Sequence, residues 1–238
     1  MLSIVKSIAL QGLNGYLIAI EVDISQGLPC FEIVGLPDIS VREAKERVKT
    51  AIRNSKVEFL SRRIVVNLAP ANIRKEGPRF DLPIAVGILI ANRNIQNLYL
   101  NEFLSETIFI GELSLDGTVE KVNGVLPICI EAKKLGIKRI VLSKKNAKEA
   151  SIVEGLEILP INNLKEMIEY LNGESYIEKI ENKKFDSKNQ AMYGFDFSEV
   201  KGQENVKRAL EISAAGGHNC LLIRQSWFRK NNVSKEIT

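Results

Sequence analysis

Along GYLIAIEVDIS, residues 15–25, the apolar positions recur every second residue. Ile18, Ile20, Val22 and Ile24 fall on one side, and Leu17, Ala19, Glu21 and Asp23 on the other. A period of two predicts a strand with one buried face. The preceding SIVKSIALQG reads as its hairpin partner, joined through Leu13-Asn14-Gly15. CFEIVGLP reads as a third strand, ended by Gly35 and Pro37. The period then becomes helical. In ISVREAKERVKTAIRNS, Val41, Ala44, Val48, Ala51 and Ile52 form one stripe, and Arg42, Lys45, Glu46, Lys49 and Arg53 oppose it. Ser40 with Glu43 three residues later predicts a capping box. RIVVNLAP reads as a short buried strand, and LAPANIRKEGPRFDLP as a charged loop rich in Pro and Gly. LPIAVGILIA is apolar nearly all round; its length and the preceding Asp81 predict a central helix.

After Asn94 strands and helices alternate. TIFIGELSLDG and TVEKVNG read as a hairpin turned at Asp116-Gly117, and GVLPICIEAKKLG as a helix closed by Gly136. KRIVLS and LEILPI read as strands, KKNAKEAS as a short helix, and NNLKEMIEYLN as a helix begun at Asn162 or Asn163. This order predicts an α+β, mixed α/β fold whose second half is partly parallel. Residues 173–194 are polar, Lys-rich and without periodicity, and read as a linker. The expected organisation is thus a domain over 1–172, a linker over 173–194 and a further unit over 195–238. In that last unit a helix in EVKGQENVKRALEISAA leads through Gly216-Gly217 to a short apolar strand, Cys220–Ile223.

Composition narrows the class. The chain has 238 residues, 45% of them hydrophobic, enough to build a globular core. No apolar run reaches the roughly 18 residues of a membrane span. The opening MLSIVKSIALQG does not read as a secretory signal, so a cytoplasmic protein without a membrane partner is expected. Cys30, Cys129 and Cys220 lie far apart with no CxxC, which argues against a disulfide framework or a metal site. The net charge of +4 permits nucleic acid as a partner without arguing for it.

Three stretches carry a resemblance: FEIVGLPDISVREAKERVKTAI, VNLAPANIRKEGPRFDLPIAVGIL and FIGELSLDGTVEKVNGVLPI. Residues 1 to about 172 resemble the N-terminal domain of the ComM/YifB-type, magnesium-chelatase-like AAA+ proteins. FSEVKGQENVKRALEISAAGGHN is similar to the same family's lead into its ATPase module. The resemblance implies a ribosomal S5 domain 2-like fold, shared with the Lon protease domain, followed by the start of a P-loop NTPase. It also implies a hexameric protein driving branch migration on DNA, with ATP and Mg as cofactors of the intact family member.

The Lon likeness raises a Ser-Lys peptidase. In Lon the serine follows a Lys-acid-Gly-Pro stretch; here Lys75-Glu76-Gly77-Pro78 is followed by Arg79. The Lon lysine sits in a context matched by Asn123-Gly124-Val125-Leu126, with Leu126 in its place. A guanidinium is no acyl-forming nucleophile and leucine is no base, so no catalytic residue is expected. The single His218 offers no Ser-His-Asp set and reads as a polar residue at a strand entrance. What stands out instead is basic: Arg74, Lys75 and Arg79 on one loop, with Arg62-Arg63 nearby in sequence. Two readings stay open, a solvated loop with Arg79 paired to Asp81, or phosphate contacts to DNA.

A P-loop needs the pattern GxxxxGKS/T, because glycines let backbone N–H groups cradle phosphates. Here Arg224 and Arg229 replace both glycines, Asn231 replaces the hydroxyl residue, and only Lys230 remains. This chain is therefore expected to need no cofactor of its own, Lys230 being a vestige. Trp227 has a single codon, and Ser226–Thr238 can be written in codons that read, one nucleotide later, Pro-Gly-Ser-Gly-Lys-Thr-Met-Leu-Ala-Lys-Lys-Leu. The expectation is a frameshift at about residues 224–226, leaving a truncated ATPase start. The alternatives are an inert product of that shift and, least favoured by the residues, a Lon-like peptidase.

Overall fold

The computed structural model describes residues 2–59, 61–180 and 197–223. The chain divides into two units, Met1–Phe185 and Asp186–Thr238. The first opens with β1 (Leu2–Gln11) and β2 (Asn14–Ser25), an antiparallel pair. Their turn is Gly12-Leu13, beginning one residue earlier than expected, since Gln11 already pairs with Asn14. Gly12 supplies φ +62° at the first turn position, which a side chain would resist.

Next come β3 (Cys30–Val34), α1 (Ile39–Asn54) and β4 (Arg63–Ala69). β3 and β4 pair in parallel, so α1 is their crossover. The stripe predicted for α1 is the buried one: Val41, Ala44, Val48, Ala51 and Ile52. Its cap is Asp38 rather than Ser40. The Asp38 carboxylate accepts from the Val41 N–H at 2.7 Å, and Ser40 already lies inside the first turn. α2 (Asp81–Ala91) is buried at every position, as an all-apolar helix must be, and packs on β1 and β2.

α3 (Leu100–Ser105) precedes β5 (Thr107–Phe109), then β6 (Glu112–Leu113) and β7 (Val119–Glu120). Only β6 and β7 make the expected hairpin; β5 joins the main sheet instead. α4 (Val125–Lys134), β8 (Arg139–Ser143), α5 (Ala147–Ala150), β9 (Glu157–Ile161) and α6 (Leu164–Leu171) complete the set. Asn163 caps α6 by accepting from Glu166 N–H at 2.9 Å, while Glu166 accepts from Asn162 N–H.

Among the described residues these strands form a seven-stranded sheet in the order β3-β4-β2-β1-β5-β8-β9. β1–β2 and β2–β4 are antiparallel and the remaining pairs parallel, a mixed α/β arrangement consistent with the α+β expectation. One core lies between the sheet and α1, α2 and α6; a second lies under α4 and α5 on the opposite face. β8 and β9 are therefore covered on both sides and read as continuous apolar runs, whereas β2 and β4 are covered on one side and alternate. The stretch read as linker opens with residues that lie on this unit: Ile177 is buried, Ile180 bridges to Ile158, and Lys179 pairs with Glu157 at 3.0 Å.

In the second unit α7 (Glu204–Gly216) ends at Gly217, and His218 N–H donates back to Ser213 C=O at 2.9 Å. Cys220–Ile223, expected as a strand, has no regular secondary structure and no ladder among the described residues, and is exposed. The reason is physical: a strand needs a neighbour to take its N–H and C=O groups. Lys230 and the other P-loop positions lie outside the described residues. Among the described residues no helix is long and apolar enough to cross a membrane.

Candidate functional site

The loop between β4 and α2 is pinned from three directions. Lys75 forms a one-residue parallel bridge with Pro37: its N–H donates to Leu36 C=O at 3.2 Å, and its C=O accepts from Asp38 N–H at 3.0 Å. The second oxygen of Asp38 accepts from Gly77 N–H at 3.2 Å, so the residue that caps α1 also staples the loop to it. At the far end Gly111 N–H donates to Arg79 C=O and Leu82 N–H to Gly111 C=O, both at 3.0 Å.

This backbone separates the three basic side chains. Arg74 is exposed and pairs with exposed Glu76 at 3.2 Å. Lys75 has no exposed surface; its ammonium turns inward to donate to Pro70 C=O, and burial lowers its pKa. Lys75 is thus a fastener of the loop rather than a charge displayed to a partner. Arg79 is half-buried, and its Nη1 has no hydrogen-bond partner among the described residues. Burial lowers its pKa while Glu76 works against that. The Nη1 atom is closed off from the surface, so an outside anion meets Arg79 only through the part of the side chain that stays exposed.

Asp81 does not pair with Arg79. Its fully buried carboxylate takes Arg47 of α1 in a two-pronged contact, Nε to Oδ2 at 2.7 Å and Nη2 to Oδ1 at 3.0 Å. Leu113 N–H donates to the same Oδ2 at 3.2 Å. Burial pushes the Asp81 carboxyl up against the pull of Arg47, and that hydrogen bond holds Arg47 protonated. The sequence carried a signal for this pair. Arg47 lies three residues after Ala44 and four before Ala51, at the border of the apolar stripe, where a cation must find a partner.

Arg62 and Arg63 are exposed and stand at the start of β4, while the loop follows its end. Seven residues of strand hold them roughly 20 Å apart, so the predicted cluster is two separate basic places. Leu126, on α4, donates its N–H to Glu149 at 3.0 Å and packs on the second core. Among the described residues no three His, Cys, Asp or Glu side chains are grouped to hold a metal.

The family model for subunit ChlI of Mg-chelatase matches residues 20–146, and that for magnesium chelatase, subunit ChlI, matches 196–237. The competence protein ComM of Haemophilus influenzae is 38% identical over 100% of this chain and 46% of its own length. YifB of Escherichia coli is 41% identical over 99% of this chain and 45% of its own. Lon protease 2 of Bacillus subtilis is a distant relative, 27% identical over 70% of this chain. These matches place the chain in the chelatase-like class of proteins. The chain is a member of the ComM/YifB-type magnesium-chelatase-like family. It spans less than half the length of the ComM and YifB relatives it matches.

Proposed function

We propose that this chain is the DNA-contacting, non-catalytic part of an AAA+ protein that remodels DNA during recombination. On this reading residues 1–180 are an S5 domain 2-like, Lon-like domain, and residues 195 onward begin the ATPase module. In the intact family member that module takes ATP and Mg and assembles as a hexamer in the cytoplasm. The carrying observation is Arg79, a half-exposed cation that stands, by the family resemblance, where a Lon-like peptidase needs its serine. A guanidinium binds a phosphate oxygen through the N–H groups it exposes and attacks nothing. Arg74 beside it, once released from Glu76, adds a second contact. The departure from the P-loop pattern at Arg224 to Asn231 is read as a shifted frame, which the nucleotide sequence through codon 224 tests.

The direct test is fluorescence anisotropy of the 238-residue chain with single-stranded and forked DNA. Salt-sensitive binding, weakened in Arg74→Ala and Arg79→Ala, is expected, with no hydrolysis of ATP or casein. No binding even at low salt overturns the DNA reading. Turnover lost on changing a single serine overturns the non-catalytic one.

A further inference from the structure

The end of β4 away from the loop has a chemistry of its own. An open groove of about 250 Å³ lies between the start of β3, the outer face of α1 and the residues leading into β4. Lys45 and Lys49 of α1 reach it from one side and Arg62 from the other, with the rings of Phe31 and Phe59 between them. Glu46 is the one carboxylate in the lining. Lys45, Lys49 and Arg62 have no ion-pair partner among the described residues, in a molecule where many other cations are paired. The two rings sit 6.4 Å apart at 30°, and the Arg53 guanidinium lies 5.8 Å over Phe59 and fixes its plane. Phe31 and Phe59 are half-buried, packed on the core along one edge and accessible along the other.

Three unpaired cations around recessed aromatic rings meet the needs of one ligand class. Phosphates need positive charge at intervals, and a free base needs a π-face. A duplex keeps its base faces stacked and cannot offer them to a ring inside a groove. A bilayer needs apolar side chains that protrude, and these do not. The groove is smaller than the roughly 300–1,000 Å³ of a drug-sized pocket, so it takes one unit of a chain that continues beyond it. We propose that this groove holds single-stranded nucleic acid, with phosphates on Lys45, Lys49 and Arg62 and a base stacked on Phe31. The proposal deepens the DNA-contact reading and rests on it.

Two measurements on the full chain read the two halves of the site, each by anisotropy with labelled oligothymidine and an abasic oligomer of equal length. In Lys45→Ala/Lys49→Ala/Arg62→Ala the slope of log affinity against log salt falls by about 2, since each phosphate contact on a single strand contributes about 0.7. In Phe31→Leu, which keeps the apolar volume, oligothymidine binds roughly fivefold weaker or worse while the abasic oligomer is unaffected. Circular-dichroism melts of both variants stay near that of the parent. If Phe31→Leu weakens both oligomers equally or neither, or if duplex competes better than single strand, the groove is not the site proposed. Binding that depends on Arg74 and Arg79 but ignores every groove variant overturns the groove alone. Absence of any oligonucleotide binding overturns the DNA-contact reading with it.

Discussion

Burial on α4 pushes the Cys129 thiol up to about 12. A thiol reacts as its thiolate, and an ordinary cysteine ionises near 8.5. At pH 8 an alkylating reagent is therefore expected to label exposed Cys220 quickly and to leave Cys129 unmodified until the chain unfolds, as peptide mass mapping would read. The sign of the pH effect follows. The unfolded chain releases this proton from about pH 8.5, the folded chain only near 12, so alkali progressively favours unfolding across that window. Arg47 and Asp81 give a second expectation at this scale. Arg47→Met strands a buried carboxylate and should cost about 3 kcal/mol by denaturant titration at pH 7. Asp81 already has a raised pKa, so the penalty should shrink as pH falls and the carboxyl takes up a proton. Arg47→Met/Asp81→Leu should recover most of the loss at pH 7; a double variant no better than the single one would refute the pairing argument.

Two features of the β3-α1-β4 unit carry more than their own element. Asp38 caps α1 and accepts from Gly77, so Asp38→Ala removes a cap and a staple together. The expected cost is about 1–2 kcal/mol in a urea titration, with faster amide exchange in the loop at Gly77. At the exit of β3, Gly35 has φ +99°, and a Cβ there would stand 2.3 Å from the Leu68 C=O of β4. Gly35→Ala should cost well over about 1 kcal/mol, because the obstacle is backbone. Elements with a full apolar stripe or an unbroken apolar run, such as α1 and α2, were legible from period alone. The cap was not: Ser40 with Glu43 fits the capping-box spacing, yet the helix begins at Ile39 and Asp38 takes the Val41 N–H. α3 has six residues, too few for a period to show. Strand order was illegible as well, because the placement of β5 beside β1 rests on a pairing of Lys6 with Ile108 that no local signal carries.

At the scale of the molecule the candidate site was half legible. Basic residue types on a loop could be read from the chain, but their directions could not. Lys75 turns in, Arg79 is sheltered, and Arg62 belongs to a groove shared with Lys45 and Lys49 from an element already explained as a helix. Periodicity marks Lys45 and Lys49 as solvent-facing and says nothing of what stands across from them. The second unit shows the other limit. Cys220–Ile223 has strand composition, and the described residues give it no ladder. Leu221→Ser/Ile223→Ser should then leave the thermal midpoint of the chain unchanged and raise the concentration at which it aggregates, measured by light scattering. A midpoint lowered by several degrees would show these side chains to be packed after all.

The position of β1 sets an order in time. β1 is first in sequence and central in the sheet, with β2 on one edge and β5 on the other. One edge is satisfied within a few residues of the turn; the other waits for Ile108. A chain emerging residue by residue can therefore close β3-β4-β2-β1 with α1 and α2 while β5, β8 and β9 are still unmade. During that interval the outer edge of β1, with half-exposed Leu2 and Ile4 beside it, is an unpaired template. Slow synthesis between residues 91 and 107 prolongs the interval, and the first half of the domain is then the species that chaperones meet.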